Sequence, residues 1–228
     1  MGKIIVANYK MNGDKTFYRN VQKKFNNLKL QDTKIILCPP FVYLPHLQIN
    51  NKNVEIGAQD ISNLNNDKST GQISANMLKE FNVKYCLIGH LERRNLGENL
   101  EILKNKISNA VENNIRPIIC VDENINLKEE INFILKNQKT FEPIFAYEPS
   151  WAINGDKVAS AEEINYFVEK LKNICKELNF KCKILYGGGV DLNSYQQIKK
   201  ADVDGFLLGG ICLNVNEIIS LINEVENE

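Results

Sequence analysis

Histidine is scarce in this chain, with two among 228 residues, His46 and His90. A metal centre built on imidazoles has little to draw on, and the expectation is a protein with neither metal nor cofactor. Cysteine occurs six times, at 38, 86, 120, 175, 182 and 212, but never as C-x-x-C or in another zinc spacing. Four of the six lie in or beside apolar runs, which predicts buried free thiols in a reducing cytoplasm rather than a disulfide framework. An excess of one charge is missing too: 28 Lys+Arg balance 28 Asp+Glu, with no basic run and no charged tail. That argues against nucleic acid or an acidic membrane surface as partner. No apolar stretch approaches the ~18 residues of a membrane span. The opening MGKIIVANYK has too short an apolar run for a secretory signal, and Val6 breaks the myristoylation pattern, so a cytoplasmic location is expected.

What is present is a 43% apolar fraction, enough for a sizeable core. Short apolar runs alternate with longer amphipathic ones. The strand-like runs are 3–8, 34–39, 54–59, 84–89, 116–121, 143–148, 183–188 and 204–209. Their spacing is too wide for hairpins and suits βα units. Between the sixth and seventh runs, Ile164, Phe167, Val168, Leu171, Ile174, Cys175 and Leu178 share one helical face, and Ser160 with Glu163 forms a capping box. Leu100, Leu103, Ile107, Ala110 and Val111 make a similar stripe. The polar segment 60–71, DISNLNNDKSTG, has no period and reads as a functional or interfacial loop. No linker or composition shift divides the chain. The fold expected is therefore α/β, one closed (β/α)₈ barrel of eight parallel strands over 1–228. An open doubly wound sheet is the runner-up, but the turn after the first strand, NYKMNG, is not the G-x-G-x-x-G that such a sheet favours.

In a parallel barrel, chemistry gathers at the carboxyl ends of the strands. The first run ends in Asn8-Tyr9-Lys10, and a lysine there needs an anionic partner. The fourth ends in Gly89-His90-Leu91-Glu92-Arg93-Arg94, and the sixth in Glu148 followed by Pro149 and Trp151. The last two end in Gly187-Gly188-Gly189 and Gly209-Gly210, where bare backbone N–H groups can approach an oxyanion and a short helical turn after Gly210 can add its positive end. An acid, an imidazole, a cation and a phosphate cradle suit proton transfer next to a carbonyl.

Five segments, NYKMNG (8–13), GAQD (57–60), GHLERR (89–94), AYEPSWAING (146–155) and YGG with DGFLLGG (186–188, 204–210), resemble the triosephosphate isomerase family in order and spacing along essentially the whole chain. The resemblance implies an isomerase of dihydroxyacetone phosphate and D-glyceraldehyde 3-phosphate. It makes Glu148 the base, His90 a neutral electrophile and Lys10 the balancing charge, with Asn8 placing substrate and Glu92 holding Lys10. Gly189, Gly209, Gly210 and the backbone near Asn154, in a lid over about 149–155, would grip the phosphate. It also implies a homodimer through loop 60–71, with Thr70 at the interface. The alternatives are another phosphosugar barrel enzyme, such as a metal-dependent epimerase, or a non-catalytic phosphate-binding barrel.

Several positions depart from the family pattern. Leu91 stands where a serine is usual and cannot hold the base through a hydroxyl, so Glu148 is expected to rest differently. Gly189 replaces a serine, the lid tip reads Ile153-Asn154-Gly155-Asp156 in place of Ile-Gly-Thr-Gly, and Tyr9 replaces a tryptophan. The region NINLKEEINFILKNQ after the fifth strand is short and predicts a trimmed outer helix.

Overall fold

A computed structural model describes residues 2–65, 68–123, 126–138, 141–152 and 158–228. Eight strands follow the eight apolar runs: β1 (Ile4–Asn8), β2 (Lys34–Cys38), β3 (Val54–Ala58), β4 (Val83–Ile88), β5 (Arg116–Val121), β6 (Ile144–Tyr147), β7 (Lys183–Tyr186) and β8 (Gly205–Leu208). Each pairs in parallel with its neighbour, and β1 pairs with β8, so the sheet closes.

The helices start where short polar side chains satisfy the first free amides. Asp14 caps α1 (Lys15–Asn26), Ser74 caps α2 (Ala75–Glu80) and His90 caps the short α3 (Leu91–Arg94). Asn99 caps α4 (Leu100–Glu112), and the expected Ser160–Glu163 box opens α6 (Ala161–Glu177). Asp191 and Asn214 cap α7 (Leu192–Ile198) and α8 (Val215–Glu226). After β5 the helix is the nine-residue α5 (Leu127–Leu135), as short as its sequence suggests. One βα unit departs from the pattern. The described chain between β2 and β3 carries only a 3₁₀ turn, Phe41–His46, because Pro45 lacks the N–H a longer helix needs.

Alternation along the strands divides the core in two. Ile4, Val6, Ile36, Cys38, Tyr85, Leu87, Ile118, Cys120, Ile144, Ala146, Leu185 and Leu207 fill the barrel. Their neighbours, such as Ile5, Ala7, Ile35, Ile119 and Phe145, pack outward under the helices, where the predicted stripes of α4 and α6 meet them. Each such aliphatic side chain stabilises the fold by about 1.5–3 kcal/mol. Five of the six cysteines are buried in these layers and Cys182 is half-buried.

The last helix is latched to the first units. The Glu226 carboxylate accepts the backbone N–H groups of Gln31, Asp32 and Thr33 just before β2. Burial is the largest single influence and raises its pKa, but the Thr33 hydroxyl and the three amides together outweigh it and hold it below the ordinary 4.5. A depressed carboxylate contributes stability above its ordinary pKa and loses it as pH falls through the lowered value. Glu226→Gln is therefore expected to lower the urea midpoint at neutral pH, with the difference from the wild type closing on the acid limb. A urea series across that range at constant protein concentration is the check.

Candidate active site

The inward phase of three strands runs straight into the mouth. Residues 4 and 6 point inward on β1, so Asn8 and Lys10 follow them; residues 144 and 146 do so on β6, so Glu148 follows; Leu207 leads to Gly209 on β8. His90 breaks this rule, because on β4 the inward residues are Tyr85 and Leu87 and the next in phase is Gly89. Gly89 adopts φ +73°, where a Cβ would also lie 2.8 Å from Leu103, and the turn it makes swings His90 into the mouth. Asn8, Lys10, His90, Glu148, Gly187, Gly189, Gly209 and Gly210 line one cavity of about 310 Å³, together with the buried Ala152. Asn154 and the rest of the tip segment 153–156 lie outside the described residues.

At its centre His90 Nε2 is 3.1 Å from Glu148 Oε1, and each residue is only 5% exposed. The Glu92 N–H donates to His90 Nδ1 at 3.2 Å. That makes Nδ1 the acceptor and places the proton of the neutral ring on Nε2. Burial lowers the His90 pKa, but the hydrogen bond and charge of Glu148, then Glu92, outweigh burial and Lys10, so the net direction is up while Glu148 stays beside it. Glu148 Oε2 is buried and has no hydrogen-bond partner among the described residues.

Lys10 Nζ meets Glu92 Oε1 at 2.7 Å. Its backbone sits at φ +51°, a conformation that costs a lysine about 1–3 kcal/mol. Two bonds hold it there: the Lys10 N–H donates to Asn8 Oδ1 at 3.0 Å, and Gln59 Nε2 donates to the Lys10 carbonyl at 2.8 Å. Asp191 also faces the cavity, but its carboxylate accepts the N–H groups of Asn193 and Ser194 as the cap of α7, which draws it away from an incoming anion.

The described chain on either side of residues 153–157 is tethered. Glu123 accepts from the Trp151 indole at 2.8 Å and from the Tyr147 hydroxyl at 3.1 Å. On the far side the Tyr186 hydroxyl accepts the Ala159 N–H and donates to the Gly188 carbonyl. Loop 60–71 is anchored at its base, where Asp60 binds Arg93 and Lys106 and Ile61 and Ser62 are buried; Thr70 is exposed, and residues 66 and 67 lie outside the described residues.

Sequence reasoning did not single out Gln59, Glu123, Tyr186, or the pair Glu98 and Lys106. Gln59 lies inside the quoted GAQD motif. Lys106 had a signal, since it interrupts the apolar face of α4 between Leu103 and Ile107 and is 3% exposed. It is neutralised by Asp60 and by Glu98 at 2.6 Å, and Glu98 also takes the Arg93 guanidinium at 2.7 Å. Arg94 ties the same region to β5 and α5 through the carbonyls of Gly89 and Cys120 and through Glu130.

A family profile described as triosephosphate isomerase matches residues 3–225. The triosephosphate isomerase of Mycoplasma mobile is 40% identical over 241 aligned positions, covering 96% of this chain and 98% of that protein. That of Wolbachia pipientis wMel is 35% identical over 100% of this chain and 96% of its own length, and that of Shewanella halifaxensis 34% over 96% and 95%.

Removing one partner of a buried ion pair leaves a charge without compensation, at a cost of about 3–5 kcal/mol. Lys106→Met leaves Asp60 and Glu98 to share Arg93 alone. It is expected to destabilise the fold in urea unfolding by less than that amount, and by more than Glu98→Gln, which leaves Lys106 with Asp60.

Proposed function

The chain belongs to the triosephosphate isomerase family, and on that premise we propose how its residues perform the reaction it catalyses, the interconversion of dihydroxyacetone phosphate and D-glyceraldehyde 3-phosphate. Family membership decides among the barrel enzymes that the sequence left open. The observation that carries the mechanism is the convergence of Lys10, His90 and Glu148, residues distant along the chain, on one cavity.

Glu148 is the base. It takes the proton from the carbon beside the carbonyl and returns it to the neighbouring carbon. His90 donates from Nε2 to the carbonyl oxygen and moves the proton between the two oxygens of the enediolate. The pairing of a carboxylate base with a neutral imidazole is the known pattern of this family. Substrate that displaces Glu148 from His90 also removes the largest influence raising the imidazole pKa, which favours the neutral ring. Lys10 balances the negative charge that grows on the oxygens, and Glu92 keeps it in place. Asn8 orients substrate, and the backbone N–H groups of Gly189, Gly209 and Gly210, with the lid near Asn154, take the phosphate. The lid over 149–155, hinged at the tethered Trp151, excludes water from the enediolate. One catalytic domain over 1–228 carries all of this.

The assembly we propose is a homodimer, and the location the cytoplasm. A loop held at its base by Asp60 and exposed at Thr70 suits insertion into a partner. A second cleft, lined by Lys10, Phe41, Gln59, Glu92 and Arg93, is suited to receive it. Met11, directly after Lys10, is 94% exposed, which fits a covered position in a dimer.

In a coupled assay, Glu148→Asp is expected to lose at least about 10²-fold in kcat with KM little changed, since a well-placed base is worth ~10²–10⁴-fold and a displacement near 1 Å costs ~10²-fold. Unchanged turnover removes Glu148 from the chemistry. Sedimentation of the active enzyme at micromolar concentration is expected to give a dimer, and a fully active monomer overturns the assembly.

A further inference from the structure

Two cysteines outside the site are brought together by the fold. Cys175 lies on the apolar face of α6 and is 1% exposed, and Cys182 immediately precedes β7. On β7 the residues in phase with Cys182, Ile184 and Tyr186, pack outward under the helices, so position 182 also turns toward α6. The connection between them doubles back. Asn179 takes φ +60°, and the Phe180 N–H donates to the Cys175 carbonyl at 2.8 Å, which lays the approach to β7 against the last turn of the helix. The two thiols meet there, Cys175 donating a hydrogen bond to the Cys182 sulfur. That bond draws the Cys182 thiol below its ordinary 9.0, and Lys172 on α6 adds to it, against burial and the carboxylates of Asp204 and Glu142. The same bond, then burial, pushes Cys175 up. Cys38, Cys86, Cys120 and Cys212 are fully buried, and burial holds each of them protonated. Of the six thiols, Cys182 alone is part exposed.

We propose that Cys175 and Cys182 are a peroxide-reactive dithiol, Cys182 the attacking thiol and Cys175 the resolving one, which closes to a disulfide between α6 and β7. The Cys182 thiolate attacks one oxygen of hydrogen peroxide. An S–O bond forms, the O–O bond breaks, and the departing hydroxide takes a proton from solvent and leaves as water. The Cys175 sulfur then displaces the oxygen of the Cys182 sulfenic acid. The S–S bond forms, the S–O bond breaks, and that oxygen leaves as a second water with the Cys175 proton. The two sulfurs together give up two electrons, and the peroxide oxygens take them. Contact between the thiols lets Cys175 capture the sulfenic acid before a second peroxide carries it to the irreversible sulfinic acid. A dithiol reductant reverses the bond. Neither cysteine lines the catalytic cavity, which lies at the other end of the strands, so this inference stands independently of the roles proposed for Glu148, His90 and Lys10.

The test exposes the reduced, folded protein to hydrogen peroxide, then denatures it and counts its thiols. The wild type is expected to fall from six free thiols to four, and to regain six with dithiothreitol. Lys176 and Lys181 separate the two cysteines, so a tryptic digest is expected to show residues 173–176 bridged to residues 182–183. Cys175→Ser is expected to accumulate a sulfenic acid at Cys182, trapped by dimedone, whereas Cys182→Ser is expected to keep all its remaining thiols. Both reduced variants are expected to turn over triose phosphate as the wild type does, which reports an intact fold. Should Cys175→Ser fail to fold, Cys175→Ala removes the same thiol without bringing a polar group into the core. A wild type that keeps six thiols overturns the proposal, as does a bridge between any other pair of cysteines. Sulfinic acid at Cys182 in place of a bridge overturns the resolving role of Cys175, and loss of thiols in Cys182→Ser at the wild-type rate overturns the attacking role of Cys182.

Discussion

The pairing of β1 with β8 is the constraint from which the rest follows. Once the sheet closes, every second residue of each strand points at a common axis, and that interior fills with Ile, Leu, Val, Ala, Cys and Tyr side chains. A polar group fits this pattern only one step past the packed layers, where the strand has ended and the mouth begins. Asn8 and Glu148 occupy that step on β1 and β6, and Lys10 the next one on β1. The same geometry that packs the barrel interior with apolar side chains places its most demanding polar groups at the rim.

The site is built against its own costs. Lys10 occupies a left-handed backbone conformation and would be expensive without partners, yet Asn8, Gln59 and Glu92 each take one of its polar atoms. Behind them a continuous ionic cluster joins Arg93, Asp60, Glu98 and Lys106, and Arg94 with Glu130 bolts the turn after β4 to the next strand. These groups do not touch the cavity centre. They hold the turn that carries His90, and they anchor the start of the loop proposed to meet a partner subunit. Glu148 is the exception. Its Oε1 lies against His90 and its Oε2 has no hydrogen-bond partner among the described residues, which suits the base proposed above.

Much of this was legible in one dimension. The eight apolar runs lie on the eight strands within a residue or two, and the capping box and the stripes of α4 and α6 sit where the spacing puts them. The strand ends named the cavity-lining residues because period-two alternation is a local property. The gaps have physical causes. The 3₁₀ turn after β2 follows from Pro45, a local signal that the regular repeat of βα units obscured. Gln59, Glu123 and Tyr186 act through single long-range hydrogen bonds, for which no periodicity exists to read. Lys106 did announce itself by interrupting an apolar face, but which carboxylates answer it depends on how α4 lies against the loop after β3.

The sequence by itself determined the strands, the helices, the closed repeat and the kinds of group that end each strand, because these depend on residues a few positions apart. The fold alone decided that His90 enters the mouth, since alternation would have sent it outward and only the turn at Gly89, wedged between Leu103 and Arg94, brings it in. It also decided that the Glu148 carboxylate meets that imidazole at 3.1 Å. Such choices come from packing between distant segments, and a chain encodes packing only through the structure it adopts.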